Sequence, residues 1–238
     1  MQTSLNKCKT DGDAMPKALI FDLDGTILNT LDDIGNACNF ALRHFGYPPH
    51  PLKAYEQMVG NGFIVLVMRA LPQGLAESMP QEDFTNILNV AKNHYAEHMC
   101  ERTEPYGDLP SVLKTLADAS IRLCVLSNKP EPMTQALVAH YYPNVPFFRV
   151  LGGRPDFPLK PDPSRLLSLL DELGLSPADT LFVGDSNVDM QTAHAAGMEA
   201  IGVAWGFRGA RELLNHGASK LIESPAELLT LLDKPKEN

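Results

Sequence analysis

The stretch Ala18-Leu19-Ile20-Phe21-Asp22-Leu23-Asp24-Gly25-Thr26 decides the fold. The apolar run Ala18 to Phe21 follows Pro16 and Lys17, and its shortness and its boundaries predict a buried strand. Where that strand ends, two carboxylates stand one residue apart, and Gly25 permits a sharp turn with close backbone approach. Open α/β sheets bind their ligands beyond the carboxyl ends of the strands. The acidic pair is therefore delivered to the place where such folds carry out chemistry. Acidic residues and glycine after a strand are also ordinary turn chemistry, so the meaning of the pair depends on the other strand ends.

Beyond this stretch the periodicity predicts a helix over about 31–45, with Ile34, Ala37, Cys38, Ala41, Leu42 and Phe45 at helical spacing. Gly46-Tyr47-Pro48-Pro49 stops it. Gly60-Asn61-Gly62 turns the chain into a second helix over 63–71, and a third runs over about 82–99. No strand pattern falls between 31 and 103. From Tyr106 onward helices over 109–119, 132–140, 164–173, 188–196 and 225–232 alternate with strands over 121–126, 147–151, 180–183 and 200–203. Such alternation predicts an α/β fold, a doubly wound, Rossmann-like parallel sheet with helices on both faces. The expected division is a flexible tail over 1–14, an α/β core formed by 15–30 and 104–238, and a smaller all-α domain, 31–103, inserted after the first strand.

A chain of 238 residues with 44% hydrophobic content can build its core without staples. Its net charge of −9 implies no basic patch, hence no nucleic-acid partner. An acidic protein that handles phosphate must attract it locally, with a metal ion and a few placed cations. Cys8, Cys38, Cys100 and Cys124 are scattered and form no C-x-x-C pair, which predicts free thiols in a reducing compartment. No apolar stretch reaches transmembrane length, and residues 1–14 are polar with no secretory core. The expectation is a cytoplasmic protein without a membrane partner, with Met15 as an alternative start. The number of chains in the assembly stays open.

Three further groups fall at predicted strand ends. Ser127-Asn128 follows the strand over 121–126, offering a hydroxyl and backbone N–H groups to a phosphate oxygen; it is equally a helix-starting turn. Lys160-Pro161 brings a compact point charge suited to phosphate, on a backbone that the proline keeps extended. Gly184-Asp185-Ser186-Asn187-Val188-Asp189 places one carboxylate at a strand end and another in the first turn of the next helix, where capping is the plain structural alternative. Asp22, Asp24 and Asp185 together offer oxygen ligands to a hard cation such as Mg2+. Ser127 and Lys160 can hold the phosphate. A parallel sheet brings all of them together.

In this order, D-L-D-G-T, S-N, K-P and G-D-S-x-x-D resemble the motifs of the haloacid dehalogenase superfamily of phosphatases, over nearly the whole chain after the tail. The resemblance implies Asp22 as the nucleophile that forms an aspartyl-phosphate. It implies Asp24 as general acid for the leaving alcohol and then base for water. It also implies Mg2+ held by Asp22, the backbone carbonyl of Asp24, and Asp185, with Asp189 close by to order the metal's waters or Lys160. The second aspartate, Asp24, favours phosphoryl transfer, because the carbon-attacking dehalogenases of the superfamily lack it. The helical insertion looks like the family's small α-helical cap, which goes with small phosphorylated substrates.

Within the capped branch the chain is most similar to bacterial phosphoglycolate phosphatases, through Val59-Gly60-Asn61-Gly62, the run Val65 to Leu71, and Pro105-Tyr106-Gly107, where the family's usual proline between Tyr and Gly is absent. The resemblance implies 2-phosphoglycolate as substrate. A sugar-phosphate phosphatase and a phosphomutase like β-phosphoglucomutase are the alternatives. Asn61 and Gly62 are the candidates for a cap turn facing the core site, with a plain helix-linking turn as the alternative; Arg69 could meet a substrate carboxylate but reads first as a solvated helix arginine. His94-Tyr95-Ala96-Glu97-His98 also matches the H-x-x-E-H pattern of some zinc peptidases. Its place in the cap and the much longer rival set argue against that reading. The intact acidic residues argue against a binding-only protein.

Overall fold

The computed structural model describes residues 15–232; the expected tail over 1–14 lies outside the described residues. The elements that carry the site are β1 (Ala18–Phe21), β2 (Leu28–Asn29), α1 (Leu31–His44), α2 (Phe63–Ala70), α3 (Leu75–Ser78), α4 (Gln81–His98), β3 (Glu104–Pro105), α5 (Leu109–Asp118), β4 (Arg122–Pro130), α6 (Glu131–Tyr141), β5 (Phe147–Gly153), α7 (Ser164–Leu173), β6 (Thr180–Gly184), α8 (Asn187–Ala195), β7 (Glu199–Val203), α9 (Ala210–Asn215) and β8 (Lys220–Ile222). Six of the strands form one sheet in the order β5-β4-β1-β6-β7-β8. Every neighbouring pair in it is parallel.

The fully buried β1 alternates between the two faces. Leu19 and Phe21 join a cluster with Leu109, Val112, Leu113 and Leu116 of α5 and Leu137 and Val138 of α6. Ala18 and Ile20 join Leu166, Leu169, Leu170 and Leu173 of α7 and Met190 and Ala193 of α8. This is why a central parallel strand reads as an unbroken apolar run. Each Leu, Ile or Phe so buried contributes about 1.5–3 kcal/mol of transfer free energy. The register pairs Phe21 with Val125 on one side and Val183 on the other, which sets the residues just past each of these positions abreast.

Between β2 and β3 the chain is helical. Helices α1, α2 and α4, with a 3-10 turn at Leu52–Gln57, share a separate hydrophobic cluster that includes Ile34, Tyr55, Leu66, Ile87 and Tyr95. Both passages of the chain into this block run through one antiparallel ribbon, β2 against β3. Asp33 fastens the ribbon: its carboxylate accepts the N–H of Arg102 at 3.0 Å, the N–H of Thr103 at 2.8 Å, and the Thr103 hydroxyl at 2.8 Å.

Several segments differ from the sequence expectation. Strand β4 continues through Ser127 and Asn128 to Pro130 instead of stopping at Leu126. Segment 225–232 is a 3-10 helix instead of an α-helix. The edge strand β8, helix α9 and the β2–β3 ribbon have no counterpart in the periodicity, because each is too short to show one.

Candidate active site

Past β1 the chain closes a tight turn in which Leu23 O accepts the N–H groups of Thr26, Ile27 and Leu28 at 3.2, 3.1 and 3.0 Å. Gly25 has φ +83°, and a Cβ there would lie 2.2 Å from Asp185 Oδ2, so only glycine lets the turn pass under that carboxylate. Asp22 is buried, and its N–H bonds Val183 O at 3.0 Å. The β4–β5 ladder shifts register between Leu126 and Pro130, where β4 carries extra residues. That irregularity frees Ser127, Asn128 and Lys129 from regular pairing and aims them at the end of β1.

Asp22, Asp185 and Asp189 each offer a carboxylate oxygen within 4.8 Å of the other two, and all three are buried. Lys160 Nζ stands between Asp189 Oδ1 at 2.7 Å and Asp22 Oδ1 at 2.9 Å. The Asp22 oxygen receives no well-directed hydrogen bond. Asp189 Oδ2 accepts Ser186 Oγ at 2.7 Å and Ser186 N–H at 3.1 Å in a capping box, so both Asp189 oxygens are engaged. Asp185 Oδ2 accepts the Phe207 N–H at 2.7 Å, and no ammonium pairs with Asp185 among the described residues. Four aspartates thus meet two lysines, and the aspartates dominate. Burial first, with Asp189 and Asp24 adding and Lys160 opposing, pushes Asp22 up to about 6. Burial, then Asp189 and Asp22, hold Asp185 well above the ordinary carboxylate range. Burial alone would pull Lys160 down, but Asp189 and Asp22 outweigh it and hold its ammonium above the usual range. An all-oxygen set with unbalanced negative charge fits a hard divalent cation such as Mg2+.

Asp24 turns the other way. Its Oδ1 accepts the Thr30 hydroxyl at 2.6 Å, and Lys129 Nζ lies 2.7 and 3.0 Å from its two oxygens. The Asp24 side chain does not join the three-carboxylate group. Thr30 sits at the β2 end of the ribbon, so the path into the helical block touches the second carboxylate directly.

A chamber with about 390 Å³ of empty space, part of it open to solvent, borders Asp22 and Asp24. The core side supplies Asp22, Asp24, Ser127, Asn128, Lys129 and Pro130; the helical block supplies Ile34, Val59, Gly60, Gly62, Phe63 and Leu66. Gly62, with φ +84°, caps α2 from the position before it, and a Cβ there would lie 3.0 Å from Leu159 of the core. Of the two residues expected at this turn, Gly62 borders the chamber and Asn61 does not.

The Asn128 side chain is engaged within the fold, which leaves the backbone N–H groups of Ser127-Asn128 as the donors expected there. Its amide N–H groups bond Gly60 O and Lys160 O at 2.9 Å each, and its Oδ1 accepts the Lys160 N–H at 2.8 Å. It ties the lysine loop to the helical block. Ser127 Oγ accepts the Lys129 N–H at 3.3 Å, and its proton has no acceptor among the described residues. Arg69 Nη1 is spent on Met58 O at 2.9 Å. Sequence reasoning missed Thr30, Phe207, Lys129 and Arg208. Only Lys129, adjoining Ser127-Asn128, left a local signal. Arg208 is buried and reaches the helical block at Gln57 O and Val59 O, at 3.1 and 3.0 Å.

Aspartates at the ends of β1 and β6, a lysine after β5 and a hydroxyl in β4 meet at one end of the sheet, and the chain belongs to the haloacid dehalogenase-like hydrolases, whose family model matches residues 19–203. Within that family it is a phosphoric monoester hydrolase. It is 32% identical over 219 residues to phosphoglycolate phosphatase of Haemophilus influenzae (strain 86-028NP), covering 91% of this chain and 98% of that one. It is 37% identical over 196 residues to phosphoglycolate phosphatase of Rhodospirillum rubrum, covering 81% of each. A crystal structure described as a predicted phosphoglycolate phosphatase from Haemophilus somnus 129pt superposes with a TM-score of 0.86 at 27% identity, over 93% of this chain and all of that one. No helix among the described residues is long and apolar enough to cross a membrane.

Proposed function

We propose that the chain hydrolyses 2-phosphoglycolate to glycolate and phosphate through an aspartyl-phosphate on Asp22, with Mg2+ as cofactor. The observation that carries this is the convergence of Asp22, Asp185 and Asp189 within 4.8 Å, with Asp22 also bordering a chamber that Asp24 and Ser127 line. The names of the relatives at 32% and 37% identity support the substrate.

Asp22 attacks phosphorus in line and displaces the glycolate oxygen. Asp24 gives a proton to that oxygen and then takes one from the water that cleaves the acyl phosphate. Ser127, by its free hydroxyl proton, and Lys160 hold the phosphoryl oxygens. Asp189 holds Lys160 in place. Mg2+ held by Asp22, Asp185 and the backbone carbonyl of Asp24 would neutralise the carboxylates and the charge on the transferring oxygens. Residues 31–103 act as a lid that keeps bulk water out and limits substrate size. The free thiols Cys38, Cys100 and Cys124 support a place in the cytoplasm.

The test is a panel of phosphomonoesters with Mg2+, reading both phosphate release and sugar isomerisation. The reading expects 2-phosphoglycolate among the best substrates by kcat/KM. Sugar phosphates far ahead of it, or isomerised sugar phosphate without phosphate release, would overturn it.

A further inference from the structure

Lys129 is the one cation among the residues that line the chamber. Its side chain is 3% exposed, and its Nζ lies 4.7 Å from the centre of the Tyr95 ring of α4 as well as on Asp24. None of the neighbouring cations lines the chamber. Lys160 is shared by Asp22 and Asp189, Arg69 bonds Met58 O, and Arg208 bonds Gln57 and Val59. The helical side of the chamber offers the side chains of Ile34, Val59, Phe63 and Leu66, none of which can solvate a charge. An anionic substituent enclosed there without a cation would be strongly disfavoured.

We propose that Lys129 is the specificity-determining residue that receives the substrate's second anionic group, which on the phosphoglycolate reading above is its carboxylate. An ammonium carries three donors, so Lys129 can hold Asp24 and still offer an N–H to the substrate. The chemistry of the substrate makes this sharing useful. In 2-phosphoglycolate a single CH2 separates the carboxylate from the ester oxygen. An ammonium touching both Asp24 and that carboxylate brings the Asp24 carboxyl to the oxygen that must receive the proton. Charge recognition and proton delivery are joined in one side chain. A phosphomonoester without the second anion loses the first and keeps only the Lys129–Asp24 pair.

The proposal rests on the phosphoglycolate reading, and the experiment separates the two. Steady-state kcat and KM are measured with Mg2+ for 2-phosphoglycolate and for ethyl phosphate, in which a methyl group replaces the carboxylate. The proteins are wild type, Lys129→Gln, which keeps a donor for Asp24 but not the charge, and Lys129→Arg. The expected result is a wild-type preference for 2-phosphoglycolate that falls about 10–100-fold in Lys129→Gln, the loss expected for one charged hydrogen bond. It should fall mainly because 2-phosphoglycolate acquires a higher KM, and Lys129→Arg should largely keep it. If Lys129 only holds Asp24, Lys129→Gln lowers kcat alike on both substrates and the preference survives; that overturns the anchor and leaves the phosphoglycolate reading standing. No wild-type preference for 2-phosphoglycolate overturns both. Should the glutamine protein not fold, Lys129→Met supplies the same comparison.

Discussion

Lowering the pH should stabilise this protein when divalent cations are absent. Asp22 is held at about 6 against an ordinary 3.8, with burial as the largest cause. Between those values the folded chain keeps a proton that the unfolded chain has released. The stabilisation is complete below the unfolded value and disappears as the pH climbs through the folded one. Between its limits the effect is on the order of 3 kcal/mol for this one group, of which roughly 1 kcal/mol falls between pH 5 and pH 7. Asp185, raised by burial and by Asp189 and Asp22, acts in the same direction. For a chain of this size each kcal/mol moves Tm by about 2–4 °C. The metal-free protein should therefore melt roughly 2–5 °C higher at pH 5 than at pH 7. Mg2+ needs the unprotonated carboxylates, so its own stabilisation should be larger at pH 7. The assay is thermal unfolding over a pH series with chelator or with Mg2+, alongside Asp22→Asn, which carries the same histidines but lacks the titrating group. A metal-free wild-type slope equal to that of Asp22→Asn, or a larger Mg2+ shift at pH 5, would refute the argument from crowded carboxylates.

Three more outcomes are expected. Asp24→Ala should lose about 10²–10⁴-fold in kcat on 2-phosphoglycolate but much less on p-nitrophenyl phosphate, whose leaving group needs no proton, and calorimetry should still detect Mg2+ binding; an equal loss on both esters would remove Asp24 as the acid. Gly25→Ala would drive a Cβ into the space 2.2 Å from Asp185 Oδ2, so Mg2+ affinity should fall by about 10–100-fold, and unchanged affinity would show that Asp185 is not a ligand. Gly62→Leu places a large side chain at φ +84° against Leu159; kcat/KM should drop for every substrate while Mg2+ binding stays, and a variant with unchanged kinetics would mean that the turn is only a linker.

The elements most legible in the chain are those whose neighbours are close in sequence or uniform in kind. Strand β1 is buried on both faces, so its apolar run alone marks it, and the aspartates after β1 and β6 stand at strand ends that the same rule locates. What the chain does not show is set by contacts between distant residues. The Asn128 side chain bonds Lys160 and Gly60, which no local pattern predicts. Lys129 gains its role only because the irregularity in β4 turns it toward Asp24. Arg208 reaches Gln57 from the far end of the chain. Strand β8 has three residues, too few for a periodicity, and is held in the sheet by its pairing with β7. Asn61 shares the turn with two glycines that face the chamber but does not itself border it.

The most direct test of the account is phosphate release from 2-phosphoglycolate by wild type and by Asp22→Asn, each with Mg2+ and with chelator, together with mass spectrometry of acid-quenched wild-type enzyme. The account predicts turnover that chelation abolishes, a loss of at least about 10³-fold in kcat for Asp22→Asn with the fold intact, and a phosphoryl group on the peptide that contains Asp22. Turnover in the Asp22→Asn protein close to wild type would contradict it.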